Sequence, residues 1–453
     1  MSSENSTISQ EKATLQIVPG ESNGEIKAMH CVNNGPVVSR LSNLDDYQAA
    51  GIPFARNHDA ALFNWYGGEH IVDVAAIFPD FSRSPEDASA YDFTLTDVHL
   101  EDTLRAGTQI FYRLGSKIEH WKKKYNVIPP SDPLKWAQVC DHIISHYNDG
   151  WANGFHWDVR YWEIWNEPDL REQMSPEMRP TWCGSAEEFF AFYRTVACYL
   201  KEQHPNVKIG GPSVSRLTSD WTDRFLTAMT TRGERVPLDF FSWHQYTFDP
   251  RTISAFSRQI RQKLDSYGYG DSESILNEYN YVEDWTGQPY LNSVEAILNN
   301  RGAAFTAACF CEGQNAPLDM LMYYDARPSV FNGLFDFYTF RKLPGYYPFP
   351  YFATLYKLRK QIRCDSDHPE LYAVAACGDD GRLGIFVSYY SKDKALRPSL
   401  PVCVQLQDPL PRKFRCRITC PGRLDEEEIH TVKNGSLELA LEPSTVLLLE
   451  EIR

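Results

Sequence analysis

The feature that most constrains this chain is a repeated alternation of two patterns over about 300 residues. A short apolar segment ends in polar or aromatic residues, a loop follows, and then apolar residues recur at helical spacing. Periodicity near 3.6 marks an amphipathic helix, and a short apolar run bounded by turn residues marks a buried strand. The strand segments fall near 26–32, 53–57, 109–114, 159–165, 207–211, 238–243, 273–278 and 319–324, with helical patterns such as 134–147, 186–203 and 295–311 between them. Ser185, three residues before Glu188, has the capping-box spacing that starts a helix. Eight strands alternating with helices predict a TIM (β/α)8 barrel.

Beyond about residue 360 the texture changes to short β-patterned runs (LYAVAACG, LGIFVSYYS, VCVQL, KFRCRITC, STVLLLEEI) separated by Gly, Pro and Asp turns. This predicts an accessory β-sandwich without helices. The strand-like ATLQIVPG at 13–20 precedes the barrel and is expected to pair with it. The expected organisation is therefore 1–25 as an N-terminal segment joining the sandwich, 26–360 as the barrel and 361–453 as the sandwich. Pro344, Pro348 and Pro350 stiffen the chain around the start of the last barrel helix.

Composition removes several classes of function. Forty-five Lys and Arg against sixty Asp and Glu leave a net charge of −15, which repels phosphate backbones and argues against nucleic acid as a partner. No uncharged apolar run approaches the roughly 20 residues needed to cross a bilayer, so no membrane partner is expected. The opening MSSENSTISQEK has neither a basic nor an apolar leader region, and the expected location is cytoplasmic. Eleven cysteines, an odd count without repeated spacing, read as free thiols in a reducing compartment. Asn5-Ser6-Thr7 and Asn434-Gly435-Ser436 match a glycosylation sequon but carry little weight without a secretory signal.

Catalytic groups of a barrel sit at the C-terminal ends of its strands. Strand two ends Arg56-Asn57-His58-Asp59, strand four Trp165-Asn166-Glu167-Pro168, strand six Trp243-His244-Gln245-Tyr246 and strand seven Asn277-Glu278-Tyr279-Asn280. Glu167 and Glu278 thus face each other across one rim. Two opposed carboxyl groups are the equipment of glycoside hydrolysis, one protonated to assist the departing oxygen and one ionised to attack the anomeric carbon. The charge of the second raises the pKa of the first. A separation of about 5–5.5 Å is expected if the anomeric configuration is retained, and roughly 9 Å if a water must fit between. The high aromatic content, 13%, suits sugar-stacking surfaces.

Trp162-Glu163-Ile164-Trp165-Asn166-Glu167-Pro168-Asp169 resembles the acid/base motif of clan A glycoside hydrolases. Within that clan the chain resembles glycoside hydrolase family 39, the β-xylosidase and α-L-iduronidase family, over roughly residues 26–360. Supporting blocks are Cys31-Val32-Asn33-Asn34-Gly35-Pro36, Arg56-Asn57-His58-Asp59, Gly210-Gly211-Pro212-Ser213, Phe241-Ser242-Trp243-His244-Gln245-Tyr246 and Asn277-Glu278-Tyr279-Asn280. The resemblance implies Glu167 as general acid/base and Glu278 as nucleophile. It implies that Asn166 hydrogen-bonds the sugar's 2-hydroxyl, that Tyr246 holds the nucleophile, that His244 contacts sugar or the glutamates, and that His58 binds a sugar hydroxyl.

The chain departs from the xylosidase pattern at strand eight, which reads Met322-Tyr323-Tyr324-Asp325-Ala326-Arg327-Pro328-Ser329 in place of Tyr-Trp followed by Ser-Asp. Tyr324 is expected to replace the missing Trp as a sugar platform, and Asp325 or Arg327 to reach the innermost subsite or its rim. Strand three ends Arg113-Leu114-Gly115 and lacks the usual Met-Pro. Trp285, after strand seven, suits a sugar platform and a loop anchor equally.

Other signals read as structural. His142 and His146 have zinc-ligand spacing on a helix but lack the Glu of a zinc-protease motif, so no metal is expected. Cys309 and Cys311 face different directions on a helix. Gly210-Gly211-Pro212-Ser213 lacks the Lys of a phosphate loop and reads as a tight turn after strand five. Trp162 and Trp165 read as barrel filling. The sequence thus predicts a retaining, exo-acting, cofactor-free glycoside hydrolase that releases a terminal sugar from plant-type oligosaccharides or glycosides, most nearly β-xylosidase-like. The alternatives are an arabinosidase or galactosidase of the same family and a non-catalytic carbohydrate-binding barrel.

Overall fold

The computed structural model describes residues 12–63, 67–230, 235–395, 397–407, 412–432 and 434–452; the first sequon and the opening segment lie outside them. Eight parallel strands close into a barrel: Ala28–Asn33, Phe54–Asn57, Gln109–Leu114, Tyr161–Ile164, Lys208–Val214, Phe240–His244, Glu273–Tyr279 and Met320–Tyr323. They fall within a few residues of the segments the alternation predicts. The first strand pairs with both the second and the eighth, which completes the ring.

Helix limits follow from local chemistry. The helix Ala186–Gln203 starts in a complete capping box: Ser185 Oγ accepts from the Glu188 N–H, and the Glu188 carboxylate accepts from the Ser185 N–H. The helix expected over 295–311 is instead two, Gly287–Ile297 and Asn300–Gln314. Asn299 restarts the second as its cap, its side-chain oxygen accepting from Arg301 N–H at 2.8 Å. A Cβ on Gly302 would sit 2.7 Å from the backbone of Ala296 and Ile297, so only glycine allows the first helix to end so close. The Gly210–Ser213 block is not a turn after strand five but its upper half, an irregular stretch where the pairing register with strand six slips. A Cβ on Gly210 would lie 2.3 Å from the Phe240 carbonyl, so the bare backbone lets the two strands meet there.

Inside the barrel, side chains alternate in layers along the strands. Cys31, Phe111, Tyr161, Phe240, Ile275, Met320 and Met322 form an apolar plug at the bottom, where Phe111 packs at 5.2 Å from both Tyr161 and Phe240. Two residues further along their strands stand polar groups: Phe54 is followed by Arg56, Tyr161 by Glu163, Phe240 by Ser242 and Ile275 by Asn277. All four are fully buried.

Nine further strands make one sheet, ordered Arg423–Thr431, Lys413–Cys420, Thr445–Ile452, Leu383–Tyr389, Leu371–Cys377, Lys360–Ser366, Ala13–Glu25, Leu400–Leu406, Ser436–Leu441, and the short strands Ala61–Phe63 and Gly67–Glu69 pair separately. The N-terminal strand lies within it, antiparallel to Lys360–Ser366 and parallel to Leu400–Leu406. One face buries Leu15, Ile17, Ile385, Val387, Val404, Phe414 and Leu449 in a cluster to which no helix contributes among the described residues. Strands of the sheet itself therefore cover that face. The other face packs on the barrel: Phe386 meets Phe352 edge-on at 5.5 Å, and Ser388 Oγ donates to the Ala304 carbonyl at 2.7 Å.

Phe386→Ala should destabilise the protein by about 3–5 kcal/mol, because it removes a fully buried ring that joins sheet and barrel. Urea unfolding measures this, against Ile429→Ser on the exposed edge strand (59% exposed), which should shift stability by less than about 0.5 kcal/mol.

Candidate active site

Arg56 is the centre of the polar layer above the plug, and all five of its N–H groups have acceptors. Its Nε donates to Glu163 Oε2 at 2.6 Å. Nη1 donates to Glu278 Oε1 at 2.7 Å and Asn33 Oδ1 at 2.9 Å. Nη2 donates to Asn166 Oδ1 at 2.6 Å and Ser213 Oγ at 3.0 Å. Glu163 is held on its other oxygen by Asn277 Nδ2 at 2.6 Å, and Asn277 takes its own place from Asn33 Nδ2, 2.7 Å from its carbonyl. The layer is a closed set of hydrogen bonds across strands one, two, four, five and seven.

The two glutamates stand on top of this layer. Glu278 accepts from Tyr246 Oη at 2.8 Å as well as from Arg56. Glu167 Oε1 lies 2.8 Å from His244 Nδ1, which is also 3.4 Å from Glu278 Oε2. His244 Nε2 lies 2.6 Å from Ser213 Oγ. One oxygen of each carboxylate and a ring nitrogen of His244 fall within 4.8 Å of one another. Trp165 and Glu167 both have positive φ, 75° and 47°, a costly conformation for residues with a Cβ that tends to persist at functional sites. That backbone is held from outside, with Glu167 N–H donating to the Ser213 carbonyl at 2.9 Å and Thr181 Oγ1 donating to the Glu167 carbonyl at 2.5 Å.

The two carboxyl groups differ electrostatically. Burial pushes Glu167 up to about 7, and the more distant charge of Arg56 offsets this only in part. Burial also raises Glu278, and the guanidinium of Arg56 and the hydroxyl of Tyr246 offset this only in part. Burial brings His244 down to about 4, and holds His58 well below its ordinary value, so both imidazoles are neutral. Arg56 and Tyr246 donate to Glu278 and so stabilise its charge, whereas the side-chain partner of Glu167 is the neutral His244.

A cavity of about 700 Å³ opens above the pair. Of the residues singled out from sequence, Glu167, Glu278, His58, Tyr246, Trp285 and Tyr324 line it. His58 Nε2 is 3.9 Å from Glu278 Oε1. Trp285 meets Tyr246 edge-on at 4.9 Å and is 52% exposed. Asn166 and His244 lie buried just beneath, and the Asn166 amide Nδ2 has no hydrogen-bond partner. Asp325 and Arg327 do not reach the cavity wall. Arg327 Nη2 donates to Asp325 Oδ2 at 3.0 Å and its Nη1 to the Asp59 carbonyl at 2.9 Å. They support Asp59 from behind, and the Tyr324 hydroxyl donates to the same Asp59 carboxylate. Although burial opposes it, the charge of Arg327 and the hydrogen bond from Tyr324 help keep Asp59 well below the usual carboxylate range.

Among the described residues, Glu167, His244 and Glu278 form the one group of metal-ligand side chains close enough to hold an ion. Arg56 already puts a positive charge 2.7 Å from Glu278, where it would oppose a second cation. His142 and His146 belong to the helix packing. Nδ1 of His146 meets the Trp151 carbonyl at 2.8 Å, its Nε2 meets Asp97 Oδ1 at 3.1 Å, and its ring stacks on Phe93. Sequence reasoning passed over Arg56, Glu163, Ser213 and Asn277 as site residues. The readable signal was a charge in the middle of an otherwise apolar strand, Arg56 in PFARN and Glu163 in YWEIW.

The model of glycosyl hydrolases family 39 matches residues 63–269. Similar proteins include the beta-xylosidase of Geobacillus stearothermophilus, 28% identical over 187 residues, which is 39% of this chain and 34% of that protein. The beta-xylosidase of Caldicellulosiruptor saccharolyticus is 28% identical over 183 residues, 37% of this chain and 33% of that protein. The aligned stretch thus spans about a third of the length of these curated relatives. In fold, the chain is similar to a glucosidase from Croceicoccus marinus, with a TM-score of 0.78 at 22% identity over 98% of this chain and 99% of that one. It is also similar to a monomeric beta-xylosidase from Caulobacter crescentus CB15, with a TM-score of 0.67 at 16% identity over 97% and 99%.

Arg56→Met should cost about 3–5 kcal/mol in urea unfolding, because it leaves Glu163 and Glu278 buried without their cation. With that positive charge gone, the pKa of Glu278 should rise. Any activity that remains should need a higher pH to reach its plateau than in the unaltered protein, which a pH–rate profile measures.

Proposed function

We propose that this chain is a retaining, exo-acting glycoside hydrolase that removes a terminal neutral sugar, most nearly a β-xyloside, by double displacement. The observation that carries the reading is the pair Glu167 and Glu278. They sit under one cavity, with carboxylate oxygens within 4.8 Å and unlike partners, Arg56 and Tyr246 for Glu278 and His244 for Glu167. Such a distance suits direct attack by a carboxylate and leaves too little space for a water between the pair.

In the first step the ionised carboxylate of Glu278 attacks the anomeric carbon, and Glu167 gives its proton to the departing glycosidic oxygen. In the second, Glu167, now a carboxylate, takes a proton from water as that water displaces Glu278 from the same carbon. Tyr246 and Arg56 orient Glu278 for attack. The unpartnered amide of Asn166 is available to the sugar's 2-hydroxyl, where a hydrogen bond strengthens as positive charge develops on the ring. The neutral His244 bridges the two carboxyl groups without adding charge to either.

A neutral sugar follows from how the cations near Glu278 are used. Arg56 is buried with every N–H engaged, and Arg327 is tied to Asp325 and Asp59. Among the described residues lining the cavity on this side, no cation remains for a sugar carboxylate. The beta-xylosidase relatives favour xylose among neutral sugars. A screen of nitrophenyl pentosides, hexosides and uronides tests this reading, with highest kcat/KM expected on a xyloside and none on uronides.

Two further outcomes are expected. Glu167→Ala should lose roughly 10²–10⁴-fold on unactivated glycosides while still forming the covalent intermediate from activated aryl glycosides, which depart without a proton. Glu278→Ala should be inactive on both. Azide rescue of Glu278→Ala should give a product of inverted configuration and rescue of Glu167→Ala a retained one, since the anion fills the space vacated; the reverse pattern would exchange the two roles.

The kcat/KM of the unaltered enzyme on unactivated glycosides should fall above about pH 7, as Glu167 loses the proton that its raised pKa otherwise retains. Glu167→Ala assayed on an activated aryl glycoside should lack that alkaline limb. A limb that persists would assign it to another group.

A further inference from the structure

The cavity has two unlike walls. On the side of Glu278 it is aromatic: Tyr246, Tyr324, Trp285, Tyr290 and Phe331, with Tyr290 and Phe331 nearly parallel at 6.3 Å. On the side of Glu167 it is made by the loops after strands three, four and five, and there Arg171, Arg216 and His120 line it.

Arg171 and Arg216 are set apart by what their guanidinium groups lack. Neither has a hydrogen bond or ion pair among the described residues, although the Arg216 main-chain N–H donates to Asp169 Oδ2 at 3.1 Å. The anions beside them are already used. Glu172 is paired with Arg224 at 2.9 Å, and Asp169 accepts from Ser215 N–H and Oγ at 2.8 and 2.9 Å. The loop after strand three also carries Lys117, Lys122, Lys123 and Lys124 within eight residues, although of that loop Ile118 and His120 are the residues that line the cavity. In a chain of net charge −15, this wall is locally cationic. The positive charge reaches the proton donor itself, since Arg216 opposes the burial that raises Glu167.

We propose that this wall recognises a carboxylate on the leaving group, with Arg171 and Arg216 as its partners, so that the enzyme releases a neutral sugar from an acid-bearing aglycone. The proposal rests on the reading of Glu167 as the acid, because the acid marks the side of the cavity where the leaving group lies. A guanidinium matches a carboxylate with two parallel N–H groups, and a cationic cleft wall speeds the capture of anions. The carboxylate could belong to a uronic acid residue or to a phenolic acid; the chemistry recognised is the same.

The test uses two substrate pairs built on the sugar selected by the nitrophenyl screen. One pair is the glycoside of 4-hydroxybenzoic acid and that of its methyl ester. The other is the same sugar linked to a uronic acid and to its methyl ester. In the aryl pair the ester leaves more easily, so intrinsic reactivity runs against the proposal. With the full chain at low salt, kcat/KM should favour the acid over its ester by about five- to tenfold in at least one pair, and which pair identifies the source of the carboxylate. The preference should shrink towards one in about 0.5 M NaCl, where the Debye length is about 4 Å, and in Arg171→Gln/Arg216→Gln. Melting temperature checks the fold of that variant, and the salt series on the unaltered protein tests the same point without it. Ratios of one or below in both pairs, or a preference that survives both salt and the double substitution, would overturn the proposal while the glycosidase reading stands. Absence of turnover on the acids, the esters and every nitrophenyl glycoside would instead remove the glycosidase reading beneath it.

Discussion

A guanidinium buried with no access to water must find an acceptor for each of its N–H groups and a counter-charge near by, because an unpaired ion in that position is strongly destabilising. Arg56 meets both demands through Asn33, Glu163, Asn166, Ser213 and Glu278. These acceptors come from the first, fourth, fifth and seventh strands and the loop after the fourth. The alignment of the strand ends and the position of Glu278 are thus set by one side chain. The apolar plug below it excludes water, which makes every bond in the layer stronger and every missing one more costly.

The same layer explains why two carboxyl groups a few ångströms apart behave differently. Glu278 stands directly on Arg56 and under Tyr246, while Glu167 touches only the neutral His244 and hangs from a backbone held in the left-handed region. Geometry alone would make them equivalent, and the asymmetry of their partners does not. A carboxyl group whose partners stabilise its charge beside one that lacks a cationic partner is the asymmetry that acid-assisted displacement would need.

The barrel was legible because each strand carries its own apolar run and each helix its own period, signals that are local to the segment. The rim glutamates were legible for a related reason, since the strand ends locate the catalytic face. What could not be read is whatever depends on partners distant in sequence. Arg56 and Glu163 lie 107 residues apart, and nothing in either segment names the other. Asp325 and Arg327 look like rim residues from their position after strand eight, yet they pair with each other, Arg327 reaching on to the Asp59 carbonyl and Asp325 accepting from Asn332. The break between the helices Gly287–Ile297 and Asn300–Gln314 was hidden because apolar spacing continues across it, and only the cap at Asn299 and the close packing at Gly302 interrupt the chain.

The strand Ala13–Glu25 lies between Lys360–Ser366 and Leu400–Leu406, with Leu15 opposite Ser366, about 350 residues away. Closing a loop of that length costs about 5 kcal/mol of chain entropy if the intervening chain is disordered. Once the barrel has formed, it brings residue 26 next to residue 359, joined by a hydrogen bond of 2.6 Å between Ile26 N–H and the Arg359 carbonyl, and the effective loop becomes short. The barrel therefore acts as a template for the sheet. Until the last hundred residues have been synthesised, the first strand has no edge to join, and its apolar side stays exposed on the ribosome-bound chain.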